Sequence, residues 1–344
     1  MKKIKLIILI ICFLAPQAFV SAQVGKEITK VGTTAAQFLK IGAGARALGM
    51  GGTYAAVSDD IYAAYWNPAG LAVSKSNTQV TFNHSEWLAD ISYDFAAASF
   101  NVTDLGTLFL TVTSLGVPED KVRTEEYPEG DGRYWDASSL AIGVGYAKSL
   151  TDRFSIGFHG KYIQETIWNS SANGFAFDVG TYYVTPFNDL VIGASISNFG
   201  TKMQLDGRDI QINTDPNGDG NSGPNNIPSQ YSMDSYDVPL TFRIGLAMDV
   251  IKTRFIVVKT AVDATHPNDN TEYVNSGIEF AFNRMFFLRA GYKSLFLEDS
   301  EQGLTLGAGL NYETASGLSV SFNYAYADYN RLKDVQYFDV SIAL

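Results

Sequence analysis

The side chains able to do chemistry in this 344-residue chain do not gather into a reactive set. His84, His159 and His266 are scattered, no two at a metal-ligand spacing. No serine, cysteine or carboxylate stands beside them in a nucleophile–base pattern, so the chain reads as a non-enzyme that needs no cofactor. Asp215, Asn217 and Asp219 place oxygen ligands at alternate positions before Gly220, like the opening half of a calcium loop. The twelfth position of such a loop, where a bidentate glutamate belongs, is Asn226. The segment therefore reads as a weak calcium loop or as a hydrophilic turn. A third cluster, Gly42, Gly44, Gly49, Gly51 and Gly52, invites a phosphate-cradle reading. No strand precedes it and no Walker lysine follows, so close backbone packing is the better account. Arg46 is the only charge between Lys40 and Asp59. If that segment is buried, Arg46 must find a carboxylate.

These residues are positioned by elements that the rest of the chain specifies. Lys2, Lys3 and Lys5 precede an apolar run over residues 6–14, and Val20-Ser21-Ala22 offers a cleavage site before Gln23. Residues 1–22 thus read as a secretory signal peptide, too short to span a membrane as a helix. The one cysteine, Cys12, lies inside it, so no disulfide is available to the exported chain. Mean hydropathy near zero excludes a helical membrane protein. A content of 46% apolar and 13% aromatic residues excludes disorder, and a net charge of −11 argues against nucleic-acid binding.

After residue 76 the chain alternates with period two. In residues 240–250, Leu240, Phe242, Ile244, Leu246, Met248 and Val250 share one face, with Thr241, Arg243, Gly245, Ala247 and Asp249 on the other. Fourteen such segments are predicted, at 77–85, 91–101, 107–115, 138–148, 154–166, 174–184, 189–198, 238–250, 254–264, 272–282, 285–294, 303–313, 318–328 and 335–344. Tilted strands of this length match the hydrocarbon thickness of a bilayer. Connections after even-numbered strands are short, and the two long ones, residues 116–137 and 199–237, follow odd-numbered strands. That segregation is the outer-membrane arrangement, with short turns in the periplasm. The expectation is an all-β, 14-stranded antiparallel transmembrane β-barrel in the outer membrane of a diderm bacterium, surrounded by lipid. The barrel spans 77–344, and residues 23–76 form an amino-terminal lumenal hatch.

Inward positions carry Lys161, Arg243, Lys259, Arg289 and Lys293 against Asp178, Asp249, Asp263, Glu279, Glu313 and Asp339. So balanced a lumen suits ion-paired packing around a plug better than an ion-selective pore. Asp178, Asp249, Asp263, Glu279 and Glu313 are the candidate partners of Arg46. Asp59 or Asp60 is expected to cap a short helix through Trp66, which Pro68 ends. Trp87 and Leu88, in a short outer loop, suit an interfacial girdle or a docking surface. The long outer loops are acidic, with seven acids against three bases in residues 116–137.

The run GAGARALGMGGTYAAVSDDIYAAYWNPAGLA, residues 42–72, closely resembles the start of the PorV/PorQ family of outer-membrane proteins, itself similar to the FadL transporters. The motif residues are Gly49, Met50, Gly51, Gly52 and Trp66, followed by Asn67-Pro68-Ala69. The resemblance implies a fourteen-stranded barrel with an amino-terminal hatch. It further implies either of two roles. A PorV-like member serves type IX secretion, meeting a large translocon barrel, a surface attachment complex and exported proteins with carboxy-terminal signal domains. A FadL-like member moves fatty acids or other hydrophobic small molecules across the outer membrane.

Overall fold

The computed structural model describes residues 30–215, 226–297 and 300–344. The signal-peptide segment, Asn217 and Asp219 lie outside the described residues. Among the described residues the strands are β1 (Thr78–Glu86), β2 (Ser92–Val102), β3 (Gly106–Lys121), β4 (Tyr134–Thr151), β5 (Phe154–Ile167), β6 (Ser170–Val184) and β7 (Val191–Gly200). Four short strands follow in the long outer connection: β8 (Met203–Gly207), β9 (Gln211–Thr214), β10 (Ile227–Gln230) and β11 (Ser235–Tyr236). The wall resumes with β12 (Thr241–Lys252), β13 (Ile256–Pro267), β14 (Tyr273–Phe282), β15 (Phe286–Leu295), β16 (Leu304–Glu313), β17 (Ser319–Ala327) and β18 (Val335–Ala343).

Strands β1–β7 and β12–β18 make a closed antiparallel barrel of fourteen strands. Closure is made by β1 on β18, with Phe82 opposite Val340, and the two halves join through β7 on β12, with Ile244 opposite Ala194. Each strand can alternate because its two faces meet different surroundings. On β12, Phe242, Ile244 and Leu246 are exposed to the outside while Arg243, Gly245 and Ala247 are buried within. Closure also satisfies every wall strand on both edges, which a backbone surrounded by lipid requires.

The strands near the long connections depart from the expected bounds. The β3–β4 ladder runs out to Lys121 opposite Tyr134, so only residues 122–133 remain as a loop where residues 116–137 were expected. The segment at 199–237 is not bare loop either. Its β8 continues along β6, with Leu205 opposite Ala172, and β9 and β10 form a hairpin. Both extensions carry polar and acidic residues. A ribbon standing in water needs no apolar face, so the alternation that marks the wall stops short of the real strand ends.

Candidate functional site

Residues 36–73 fold into four short helical turns, Gln37–Lys40, Ala45–Gly49, Ala63–Trp66 and Pro68–Val73, packed inside the barrel. Ala36, Ala43, Ala45, Ala47, Met50 and Tyr54 are wholly buried. Glycine sets this geometry at Gly44, where φ is +89° and a Cβ would lie 2.6 Å from the Tyr62 ring. The wall is shaped to match. A Cβ on inward-facing Gly193 would lie 1.9 Å from the Ala55 carbonyl oxygen, on Gly157 2.3 Å from Pro68, and on Gly291 2.3 Å from Gly51. A Cβ on Gly277 would lie 2.3 Å from Met50 O, and on Gly307 3.2 Å from the Gly49 Cα. Mid-strand glycines on β5, β7, β14, β15 and β16 thus seat the hatch backbone directly against the wall.

The motif residues act as fasteners within this packing. Asn67 donates its amide to Ala55 O at 2.7 Å and to Thr181 O of β6 at 3.0 Å, and its Oδ1 accepts from Ala69 N at 3.3 Å. Pro68 opens the last turn, where a missing N–H costs nothing. Trp66 donates its indole N–H to Ala43 O at 2.8 Å, and its ring faces the Arg243 guanidinium at 5.3 Å. Gly49, Met50, Gly51 and Gly52 form the turn pressed against β14, β15 and β16, and Thr305 donates to Gly49 O at 3.3 Å.

Arg46 is the electrostatic centre. Its Nε and Nη2 reach the two Glu279 carboxylate oxygens, each at 2.9 Å, a forked geometry. Nη1 reaches Asp59 at 2.6 Å and Asp60 at 3.0 Å. Glu279 is shared with Arg289 at 2.7 Å, and Asp59 with Lys259 at 3.3 Å. Hatch and wall are therefore joined by a continuous chain of ion pairs.

Of the expected Arg46 partners, Glu279 alone takes that place. Asp178 instead holds Lys161 at 2.8 Å and His159 at 3.1 Å. Asp263 accepts from the backbone N–H groups of Tyr54 and Ala55, both at 2.8 Å, so it grips the hatch without meeting Arg46. Asp249 pairs with Lys252 at 3.6 Å, and Glu313 lies exposed at the end of β16 rather than in the lumen. The reason is angular. Strand order and stagger decide which inward carboxylate faces a given hatch residue, and neither is written in local sequence.

Asp59 and Asp60, expected as helix caps, are chiefly Arg46 partners, although Asp60 also accepts from Tyr62 N at 3.0 Å. The signal was available, since two acids follow one lone arginine within a single small-residue segment. Trp87 turns its ring edge onto Tyr329 at 5.2 Å and helps cover the outer end. No group of metal-binding side chains occurs among the described residues, of which Asp215 is the one member of the calcium-like run.

Fold and site together define a class: an outer-membrane β-barrel whose lumen is occupied by its own amino-terminal hatch. Its family is settled by sequence. The model of the family described as Type IX secretion system protein PorV matches residues 24–218, more than half of the chain, which therefore belongs to that family. No curated protein matches. Among solved structures, the Pseudomonas putida toluene transporter TodX is similar at a TM-score of 0.56 with 14% identity, covering 88% of this chain and 97% of its own. A Pseudomonas aeruginosa FadL homologue gives 0.55 with 12% identity, covering 87% and 97%. The Ralstonia pickettii toluene transporter TbuX gives 0.52 with 12% identity, covering 88% and 97%. At such identities the likeness is one of fold.

Proposed function

We propose that this barrel is a non-enzymatic component of type IX protein secretion, one that binds exported proteins and carries them to the cell surface. The observation that carries the reading is the family match over residues 24–218. The filled lumen supports it. Leu39, Tyr65, His159, Lys161, Asp178 and Arg243 line a cavity of about 20 Å³, room for a water molecule or so. A hatch seated on wall glycines and fastened by ion pairs favours work done at the barrel's outer surface. Cargo then meets the outer loops, and the partners are a large translocon barrel, a surface attachment complex and exported proteins with carboxy-terminal signal domains.

The test is a pull-down of the tagged protein from its native outer membrane in gentle detergent, followed by mass spectrometry of proteins and lipids. The expected result is a large translocon barrel together with exported proteins sharing a carboxy-terminal β domain. Bound fatty acids or aromatic hydrocarbons without such partners would overturn the reading in favour of transport of hydrophobic molecules.

A further inference from the structure

The direction in which the chain threads the barrel follows from its bonds at the two rims. At the short-turn, periplasmic rim, Asn77 N donates to Leu344 O at 2.7 Å, and just before it Ser149 donates to Ala72 O at 3.3 Å. The other end of the hatch finds its wall partners near the opposite rim, while Leu39 O accepts from Tyr65 of the hatch itself at 2.7 Å. Ala35 N donates to Asp237 O, in the long outer connection, at 2.9 Å. Ala36 N donates to Glu165, near the outer end of β5, at 2.9 Å. Three side chains converge on Asp269, in the outer connection between β13 and β14: Thr34 at 3.0 Å, Gln37 at 2.9 Å and Lys40 at 2.7 Å. Asp269 is only 2% exposed at its side chain, whereas Val31, three residues before Thr34, is 65% exposed.

We propose that residues 30–40 are an outer strap. The chain enters the barrel from the cell-surface side, is latched across the outer mouth by Asp237, Glu165 and Asp269, and then descends to the periplasmic rim. Leu39, on the underside of the strap, roofs the polar cavity formed with Tyr65, His159, Lys161 and Arg243. The latch shares no residue with the Arg46–Glu279 network below it, so the strap can lift while the lower hatch stays seated. Release opens the polar upper lumen to the outside and leaves the periplasmic side closed. The inference rests on the orientation of the barrel and is independent of the cargo reading.

The chain's one cysteine lies in the signal-peptide segment, so single-cysteine variants report position directly. Intact cells carrying Val31→Cys or Leu39→Cys are treated with a membrane-impermeant maleimide, and barrel assembly is confirmed by heat-modifiable gel mobility. Val31→Cys is expected to react as fully in intact as in permeabilised cells, while Leu39→Cys stays largely unreactive. Adding Asp269→Ala is expected to raise Leu39→Cys labelling severalfold, and Lys40→Ala serves the same purpose if that variant does not assemble. Labelling of Val31→Cys only after permeabilisation would place this end of the chain inside the cell envelope and overturn the proposal. So would Leu39→Cys reacting as strongly as Val31→Cys, or staying silent when the latch is broken.

Discussion

Glu279 lies between two guanidinium groups, and its removal takes away the carboxylate that Arg289 pairs with, leaving a hydrogen bond to Asn323 and the Phe287 ring. Breaking a buried ion pair from one side costs about 3–5 kcal/mol, more than the net value of the pair itself. Glu279→Ala should therefore lower the temperature at which the folded gel band is lost. Arg46→Ala should release the hatch from the wall and raise leakage from liposomes holding the purified barrel; unchanged leakage would count against the ion-pair chain as a fastener. Asn67 presents a second case. Its amide serves two carbonyls, one on the hatch and one on β6, and leaving a buried polar group unsatisfied costs about 1–3 kcal/mol. Asn67→Ala should make the hatch measurably quicker to be cut by protease added from the periplasmic side, with the wall still intact.

Among the elements, the wall strands do two jobs on alternate residues. Outward positions are apolar for lipid, while inward positions are polar, charged or glycine. Glycine is inward on β7 because the Ala55 carbonyl occupies the space that a side chain would take. Gly193→Val should unseat the hatch without preventing strand pairing, detectable as conductance across a planar bilayer from a barrel with normal gel mobility. The strap behaves differently, because three of its side chains, Thr34, Gln37 and Lys40, meet on one carboxylate, Asp269. Burial alone would raise the Asp269 pKa, but hydrogen bonds from Lys40, Gln37 and Thr34 outweigh it and hold the carboxyl below its ordinary value. A depressed folded-state pKa adds stability that is complete above the unfolded value, about 3.9, and is lost as pH falls through the folded one. Labelling of Leu39→Cys by a pyridyl disulfide, which still reacts with thiols in acid, should stay low relative to Val31→Cys at the same pH from neutral pH down to about pH 5 and rise only below about pH 4. A rise near pH 6 would mean that another group controls the strap.

Taken whole, the molecule is a fourteen-stranded wall whose interior would be an open aqueous lumen without its hatch. Deleting residues 33–73 should convert an insulating barrel into a conducting pore in planar bilayers. A deletion variant that assembles yet stays closed would show that the outer loops seal the lumen by themselves. The fourteen wall strands, the rim that carries the short turns and the family were all legible in the sequence. Lipid outside and a polar lumen inside force every second residue to declare its face, and a small-residue run of forty residues cannot alternate. The ladder beyond Val117 was not legible, since a hairpin in water imposes no apolar period. Nor were the hatch seats, because an inward glycine looks the same in sequence whether it faces water or backbone. The lone Arg46 announced a need for a carboxylate, but five inward acids on different strands satisfied that need equally well on paper. Only closure of the barrel, which fixes the angular place and height of each strand, chose Glu279 for Arg46, gave Asp263 to the backbone of Tyr54 and Ala55, and brought Asp269 over the mouth to meet Lys40.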